Sequence, residues 1–313
     1  MEQTNAALAW DQLMREGRFA DAWTVYDGVL ESAMAHDCRR PRHQQIVWTG
    51  APLAGRRVLV RCYHGLGDTI QFVRFARTLR NIAAEVTIWG QPGLLPLLAH
   101  VDGVDRAEPI MDGAPLTPYN VDIEIMELPH ALRAEPGALT SSTPYIRPAA
   151  PCPAEVRAML DVCGTALRVG VVWRGSEWDH ARNILPPLIA PLADIPNARL
   201  FSFQQNSGSD VQNIGAFDLG HLNVAEIASV LPDIDLVISA DTMLAHLAGA
   251  MARPTWILLP NPCDWRWMRA RSDTPWYPSM RLFRQEDPGN WTRVMENVKH
   301  ELLRESAACK RAR

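Results

Sequence analysis

No run of about 18 uninterrupted apolar residues occurs in this 313-residue chain, so no bilayer-spanning helix is expected. The opening Met1-Glu2-Gln3-Thr4-Asn5 has neither the basic patch nor the apolar core of a secretory signal. Cysteine is sparse and scattered. The six residues Cys38, Cys62, Cys152, Cys163, Cys263 and Cys309 form no Cys-x-x-Cys pair, which speaks against a zinc site and a disulfide framework. Reduced thiols in the cytoplasm are the expectation. A dominant charge is missing too: 31 basic against 35 acidic groups leave a net charge of −4. Without a long basic run, neither a nucleic-acid partner nor a polybasic membrane anchor is expected, and Lys310, Arg311 and Arg313 read as a solvated end. Neither GxGxxG nor GK[ST] is present, so the common nucleotide fingerprints are absent.

What remains is an ordinary globular composition, 47% hydrophobic and 21% charged. A single core rarely grows past about 250 residues, so two cores are expected. Residues 5–15 and 19–32 read as two helices meeting at Gly17, with Leu8, Trp10, Leu13 and Met14 on one stripe and Phe19, Ala22, Trp23, Tyr26 and Val29 on the other. The pair resembles one tetratricopeptide unit, with no second copy at the period of about 34 residues. Its stripe must be covered by the following domain, by a second copy in a homodimer, or by an acceptor protein.

Residues 36–56 are polar and irregular. Strands are then expected at 57–61, 86–89, 106–110 and 123–126, with helices at about 69–83 and 94–100. Residues 140–154 have linker composition. After a helix at 154–163 a second alternation has strands at 168–173, 199–203, 236–239, 255–259 and 280–283 and helices at 224–231, 243–251 and 291–305. Alternation of this kind predicts parallel α/β sheets. The domains are a hairpin at 1–35, an α/β domain at 45–150 and a second at 165–305, with a ligand cleft expected between the last two.

Four segments could carry chemistry. In His64-Gly65-Leu66-Gly67-Asp68-Thr69 two glycines let the backbone turn tightly and approach a ligand. Asp68 suits an N-cap as well as it suits a catalytic base. In Ser239-Ala240-Asp241-Thr242-Met243-Leu244-Ala245-His246 a strand gives way to a helix whose free N–H groups suit a pyrophosphate. Asp241 would repel phosphate and is expected to cap the turn, and His246 serves equally as a core residue. Arg174 and Arg182 could hold a diphosphate or simply pair on the surface. The aromatic run Asp264-Trp265-Arg266-Trp267 and Pro275-Trp276-Tyr277-Pro278 could stack on a base or sugar, though such clusters are more often core. Asp233-Ile234-Asp235 has metal-ligand spacing, but its carboxylates would not face one oxygen cage.

Read together, the strings YHGLGDTIQFVRFA, LRVGVVWRGS, DLVISADTMLAHLAGA, PTWILLPNPCDWRWM and DTPWYPSMRLFRQ resemble glycosyltransferase family 9. That family contains the ADP-heptose–lipopolysaccharide heptosyltransferases, and the resemblance is to its tetratricopeptide-linked bacterial branch. It covers about residues 45–300. It implies a GT-B fold of two Rossmann-like domains facing a cleft, and an inverting transfer without metal or other cofactor. The donor is a nucleotide sugar and the acceptor a hydroxyl of a glycan or protein. It implies Asp68 as general base, with His64, Gly65, Gly67 and Gln71 on the acceptor side or in the turn itself. Arg174, Arg182, Asp241, Thr242, Met243, Leu244 and His246 are implied on the donor side. Leu222-Asn223-Val224 departs from the acidic-Thr pair of many relatives. A nucleotide-sugar epimerase and a non-catalytic nucleotide-sugar-binding scaffold are the alternatives. The hairpin is expected to stand outside the catalytic apparatus.

Overall fold

The computed structural model describes residues 2–30, 48, 51–111, 113–139, 143–175 and 179–312. Most of the expected irregular segment 36–56, and Ser176 beside the arginine loop, lie outside them. The chain divides into two compact units. One comprises Met1–Arg147 with Asp264–Ala270 and Pro275–Tyr277, and the other Pro148–Cys263 with Arg271–Thr274 and Pro278–Arg313.

The first unit is built on a parallel sheet ordered β3-β2-β1-β4, from β1 (Arg57–Arg61), β2 (Glu85–Gly90), β3 (Arg106–Pro109) and β4 (Val121–Glu124). β1 is flanked on both sides, Val60 lying opposite Ile88 and Ile123. This explains its unbroken Val-Leu-Val run, because a strand inside a parallel sheet is covered on both faces. Its last residue, Arg61, is fully buried and pairs with Asp122 at 2.9 Å.

The expected hairpin forms from α1 (Glu2–Arg15) and α2 (Phe19–Leu30). Gly17 turns the chain between them at φ +76°, a conformation that favours glycine. Met14, Phe19, Ala22 and Trp23 are buried in the first unit. Trp23 Nε1 donates to the Ala134 carbonyl at 2.9 Å and Tyr26 Oη to Glu127 Oε1 at 3.0 Å. Leu8 differs from its expected place on the stripe and is 65% exposed. Of the three covers left open for this stripe, the hairpin's own domain supplies one. The aromatic run after residue 263 also belongs here, and Trp267, Trp276 and Tyr277 are fully buried.

The second unit holds a parallel sheet ordered β10-β9-β8-β5-β6-β7. Its strands are β5 (Leu167–Val172), β6 (Ala198–Ser202), β7 (Phe217–Asp218), β8 (Leu236–Ala240), β9 (Thr255–Leu259) and β10 (Met280–Arg284). Val169, Val171, Leu200, Ile238 and Leu258 form its core with Trp173. Gly170 is required in β5, because a Cβ there would lie 2.9 Å from the Phe203 ring. At the departure from the family string, Asn223 caps the helix Val224–Val230. The Asn223 side chain accepts the Glu226 N–H at 3.0 Å while the Glu226 carboxylate accepts the Asn223 N–H at 2.8 Å. No helix among the described residues is long and apolar enough to cross a membrane.

Candidate active site

In the first unit the glycine-rich segment follows β1 directly. The helix begins three residues earlier than expected, as α3 (Leu66–Phe72) with Gly65 as its N-cap. Asp68 is therefore not the N-cap but stands within the first turn, where Oδ2 accepts the Gly65 N–H at 3.0 Å. A Cβ on Gly65 would come 3.2 Å from that oxygen, so the glycine permits the approach. The expected single helix to residue 83 breaks into a 3-10 turn at Val73–Phe75 and a helix at Ala76–Arg80. The physical cause is competition for carbonyls. Arg74 Nε donates to the Gln71 carbonyl at 2.8 Å and Tyr145 Oη to that of Ile70 at 3.0 Å, drawing them off the helical ladder.

Two strand ends clamp this turn. Beyond β2, Gln91 Nε2 donates to the His64 carbonyl at 2.7 Å and Gln91 Oε1 accepts from Thr69 Oγ1 at 3.0 Å. At the end of β4, Glu124 Oε1 accepts the Tyr63 N–H at 3.1 Å and lies 3.8 Å from His64 Nε2. Glu124 is 2% exposed, and its burial pushes the carboxyl up to about 8, against the opposing pull of the Tyr63 N–H and Arg61. Gln71 is buried one turn beyond Asp68, and its amide has no hydrogen-bond partner among the described residues.

Asp68 has a partner that the sequence reading did not single out. Arg266 Nη2 donates to Asp68 Oδ1, and Arg266 Nη1 lies 3.0 Å from Asp264 Oδ2. The guanidinium lies 4.9 Å from the Trp265 ring centre and 5.3 Å from that of Phe72, whose own planes are stacked. Only the Asp-Trp-Arg-Trp string itself could have pointed to it, by placing a cation among aromatic rings. The Asp68 side chain keeps 26% exposure, so a ligand can reach a carboxylate whose plane is already fixed. Each oxygen retains a further acceptor position.

In the second unit the turn after β8 leads into the helix Met243–Ala250. Thr242 occupies the N-cap position in place of the expected Asp241, and its hydroxyl pairs with Ser239 Oγ at 3.0 Å. Met243 and Leu244 open the helix, where backbone N–H groups have no carbonyl within the helix to bind. Asp241 stands just before it, its carboxylate 3.7 Å from Nε2 of the buried His246. Arg182 joins this group, with Nη1 donating to the Asp241 carbonyl at 2.9 Å. A Cβ on Gly175 would lie 3.1 Å from Arg182 Nε, so the glycine leaves room for the guanidinium. Arg174 is directed elsewhere, Nη2 donating to the Asn206 carbonyl at 2.9 Å. The Asp-x-Asp carboxylates take separate partners: Asp233 a two-point pair with Arg157 at 2.7 and 2.8 Å, Asp235 the Arg168 N–H at 2.8 Å.

A solved family 9 glycosyl transferase from Veillonella parvula superposes with a TM-score of 0.60 at 13% identity, over 83% of this chain and all of that one (100%). The chain has the fold of the family 9 glycosyltransferases. The same GT-B fold recurs in E. coli ADP-heptose lipopolysaccharide heptosyltransferase II, with a TM-score of 0.54 at 14% identity, over 80% of this chain and 99% of that one. Protein FlbA of Caulobacter vibrioides is 26% identical over 328 aligned positions, 91% of this chain and 52% of the relative. The chain thus spans about half the length of that curated relative. No protein-family model matches the sequence.

Proposed function

We propose that this family 9 fold is an inverting glycosyltransferase that moves a sugar from a nucleotide-sugar donor to a hydroxyl of a glycan or protein, with no metal ion. One observation carries the reading: a carboxylate, Asp68, held from two sides on a glycine-rich turn yet open to solvent. In this reading Asp68 takes the acceptor hydroxyl's proton as that oxygen bonds to the anomeric carbon. The bond from that carbon to the diphosphate breaks, and its electrons leave with the phosphate. A single displacement inverts the carbon and leaves the proton on Asp68.

The leaving group gains negative charge, which fixed positive groups stabilise without reorganising. Arg182 and the N–H groups at the start of Met243–Ala250 are assigned this duty, which Arg174 shares only by leaving the Asn206 carbonyl. His246 and Asp241 hold the turn. His64, Gly65, Gly67 and Gln71 are assigned to the acceptor side. Cys62, Cys152 and Cys163 form no disulfide among the described residues, which suits a reducing cytoplasm.

A panel of nucleotide sugars tests the reading, beginning with ADP-heptose, the donor named for the E. coli structure. One donor should raise the melting temperature and support transfer at a rate unchanged by EDTA. Binding of none of them, or strict dependence on added Mg²⁺ or Mn²⁺, contradicts it.

A further inference from the structure

The apolar stripe of the hairpin meets the loop that carries Arg266 at successive points. Trp10 of α1 sets its ring edge-on to Trp265, centres 5.2 Å apart. The Arg269 N–H donates to the Arg15 carbonyl, the last residue of α1, at 2.9 Å. At the hairpin turn a Cβ on Gly17 would come 3.6 Å from Met268 Sδ, so the two segments lie close there as well. Phe19, opening α2, lies 5.8 Å from the Trp276 ring, whose backbone carbonyl accepts from Arg74 Nη1 at 2.7 Å.

The loop needs this support. Met268 is held at φ 56°, ψ −170° and Ala270 at φ +53°, conformations that cost a residue with a Cβ free energy and persist only where surroundings impose them. Arg266 lies between the hairpin's contacts at Trp265 and those at Met268 and Arg269. Trp265 stacks on Phe72 of α3 with ring planes 13° apart, and Arg266 reaches Asp68 on the same helix. Contacts therefore run without a gap from Trp10 through Trp265 and Arg266 to Asp68. The far side of the hairpin is anchored independently, since Asp27 binds His130 Nε2 and Arg133 Nη2, each at 2.8 Å.

We propose that the N-terminal hairpin is a positioning element of the active site, holding the 264–270 loop so that Arg266 fixes the Asp68 carboxylate. The proposal rests on the transferase reading for its kinetic consequence alone. It replaces the view of the hairpin as a cover remote from catalysis. Trp10 and Arg15 touch no reacting group in this scheme. They act through Arg266.

The experiment uses the full chain with Trp10→Ala, the milder Trp10→Phe, Arg266→Ala and the double variant Trp10→Ala/Arg266→Ala. Hydrogen exchange is followed across the molecule. Exchange in residues 264–270 and 66–72 should quicken by about tenfold or more in Trp10→Ala, with the β5–β10 sheet unchanged. Trp10→Phe should recover most of the protection, and it carries the test if the alanine variant does not fold. In the transfer assay Trp10→Ala should lower kcat by about tenfold with donor KM held within about twofold, yet add less than about twofold to Arg266→Ala, because coupled sites are non-additive. Unchanged exchange in the loop, or additive losses in the double variant, overturns the proposal. Exchange requires no sugar transfer, so a chain inactive with every donor contradicts the transferase reading while the positioning role is still decided.

Discussion

Asp68 and Arg266, 198 positions apart in sequence, are joined as an ion pair in which Arg266 Nη2 meets Asp68 Oδ1 while the Gly65 N–H holds Oδ2. Both oxygens are thus aimed by donors that cannot move far, one a backbone group in a helix turn and the other a guanidinium packed against two stacked rings. A base held in this way costs little to orient at the moment of reaction.

Arg266→Ala should lower kcat by about 10²-fold, the scale of misplacing a reacting group by about an ångström. Donor KM should change little, since the assigned donor groups lie at Arg182 and the Met243–Ala250 helix. Steady-state kinetics with donor varied separates these outcomes. A loss confined to donor KM contradicts the positioning of Asp68 by Arg266.

Glu124 gives the stability a recognisable pH dependence. Its carboxyl titrates near the ordinary 4.5 in the unfolded chain and is pushed up to about 8 in the fold by burial. Between these values the folded state binds the extra proton, so stability falls as pH rises and levels off above about 8. The slope is at most about 1.4 kcal/mol per pH unit for one group. Glu124→Gln keeps the acceptor for the Tyr63 N–H and removes the titration, so its advantage over the wild type should grow from pH 5 to pH 8. Melting temperatures across that range check it, and parallel curves contradict it.

The donor assignment predicts two separable losses. Arg182→Ala should weaken donor binding by an amount that shrinks as salt rises, because the lost contact is electrostatic. Met243→Pro places proline at the first helical position, where the helix tolerates it, while deleting one N–H. Binding should weaken by roughly 10- to 100-fold with the helix intact, since a hydrogen bond to a charged group is worth roughly 1.5–3 kcal/mol. Isothermal titration of both variants in low and high salt measures this. Unchanged donor affinity in Met243→Pro contradicts the assignment.

Much of the fold is legible in the sequence where local pattern and tertiary demand agree. Thr255–Leu259 reads correctly to the residue, because an apolar run between Pro254 and Pro260 has one way to be buried on both faces. The start of α3 is misread because glycines signal a turn, yet Gly65 and Gly67 lie at the N-cap and within the helix itself. β7, two residues long, carries too little pattern to find. Asp68 is visible in its motif, but its surroundings are not. Nothing local brings position 266 to position 68, and Glu124 looks like any carboxyl until β4 buries it beside β1. The separate partners of Asp233 and Asp235 follow from strand direction, which the sequence does display.

The central claim is that Asp68 removes the acceptor proton, and Asp68→Asn tests it with little change of shape. The amide keeps an oxygen for the Gly65 N–H, loses the acceptor for Arg266 Nη2 and cannot take a proton from a hydroxyl, so its loss should exceed that of Arg266→Ala. Initial rates of transfer should be measured beside donor affinity by calorimetry on the same preparation. The account predicts transfer reduced by about 10²–10⁴-fold with donor affinity close to wild type. Turnover near the wild-type rate in Asp68→Asn would contradict it.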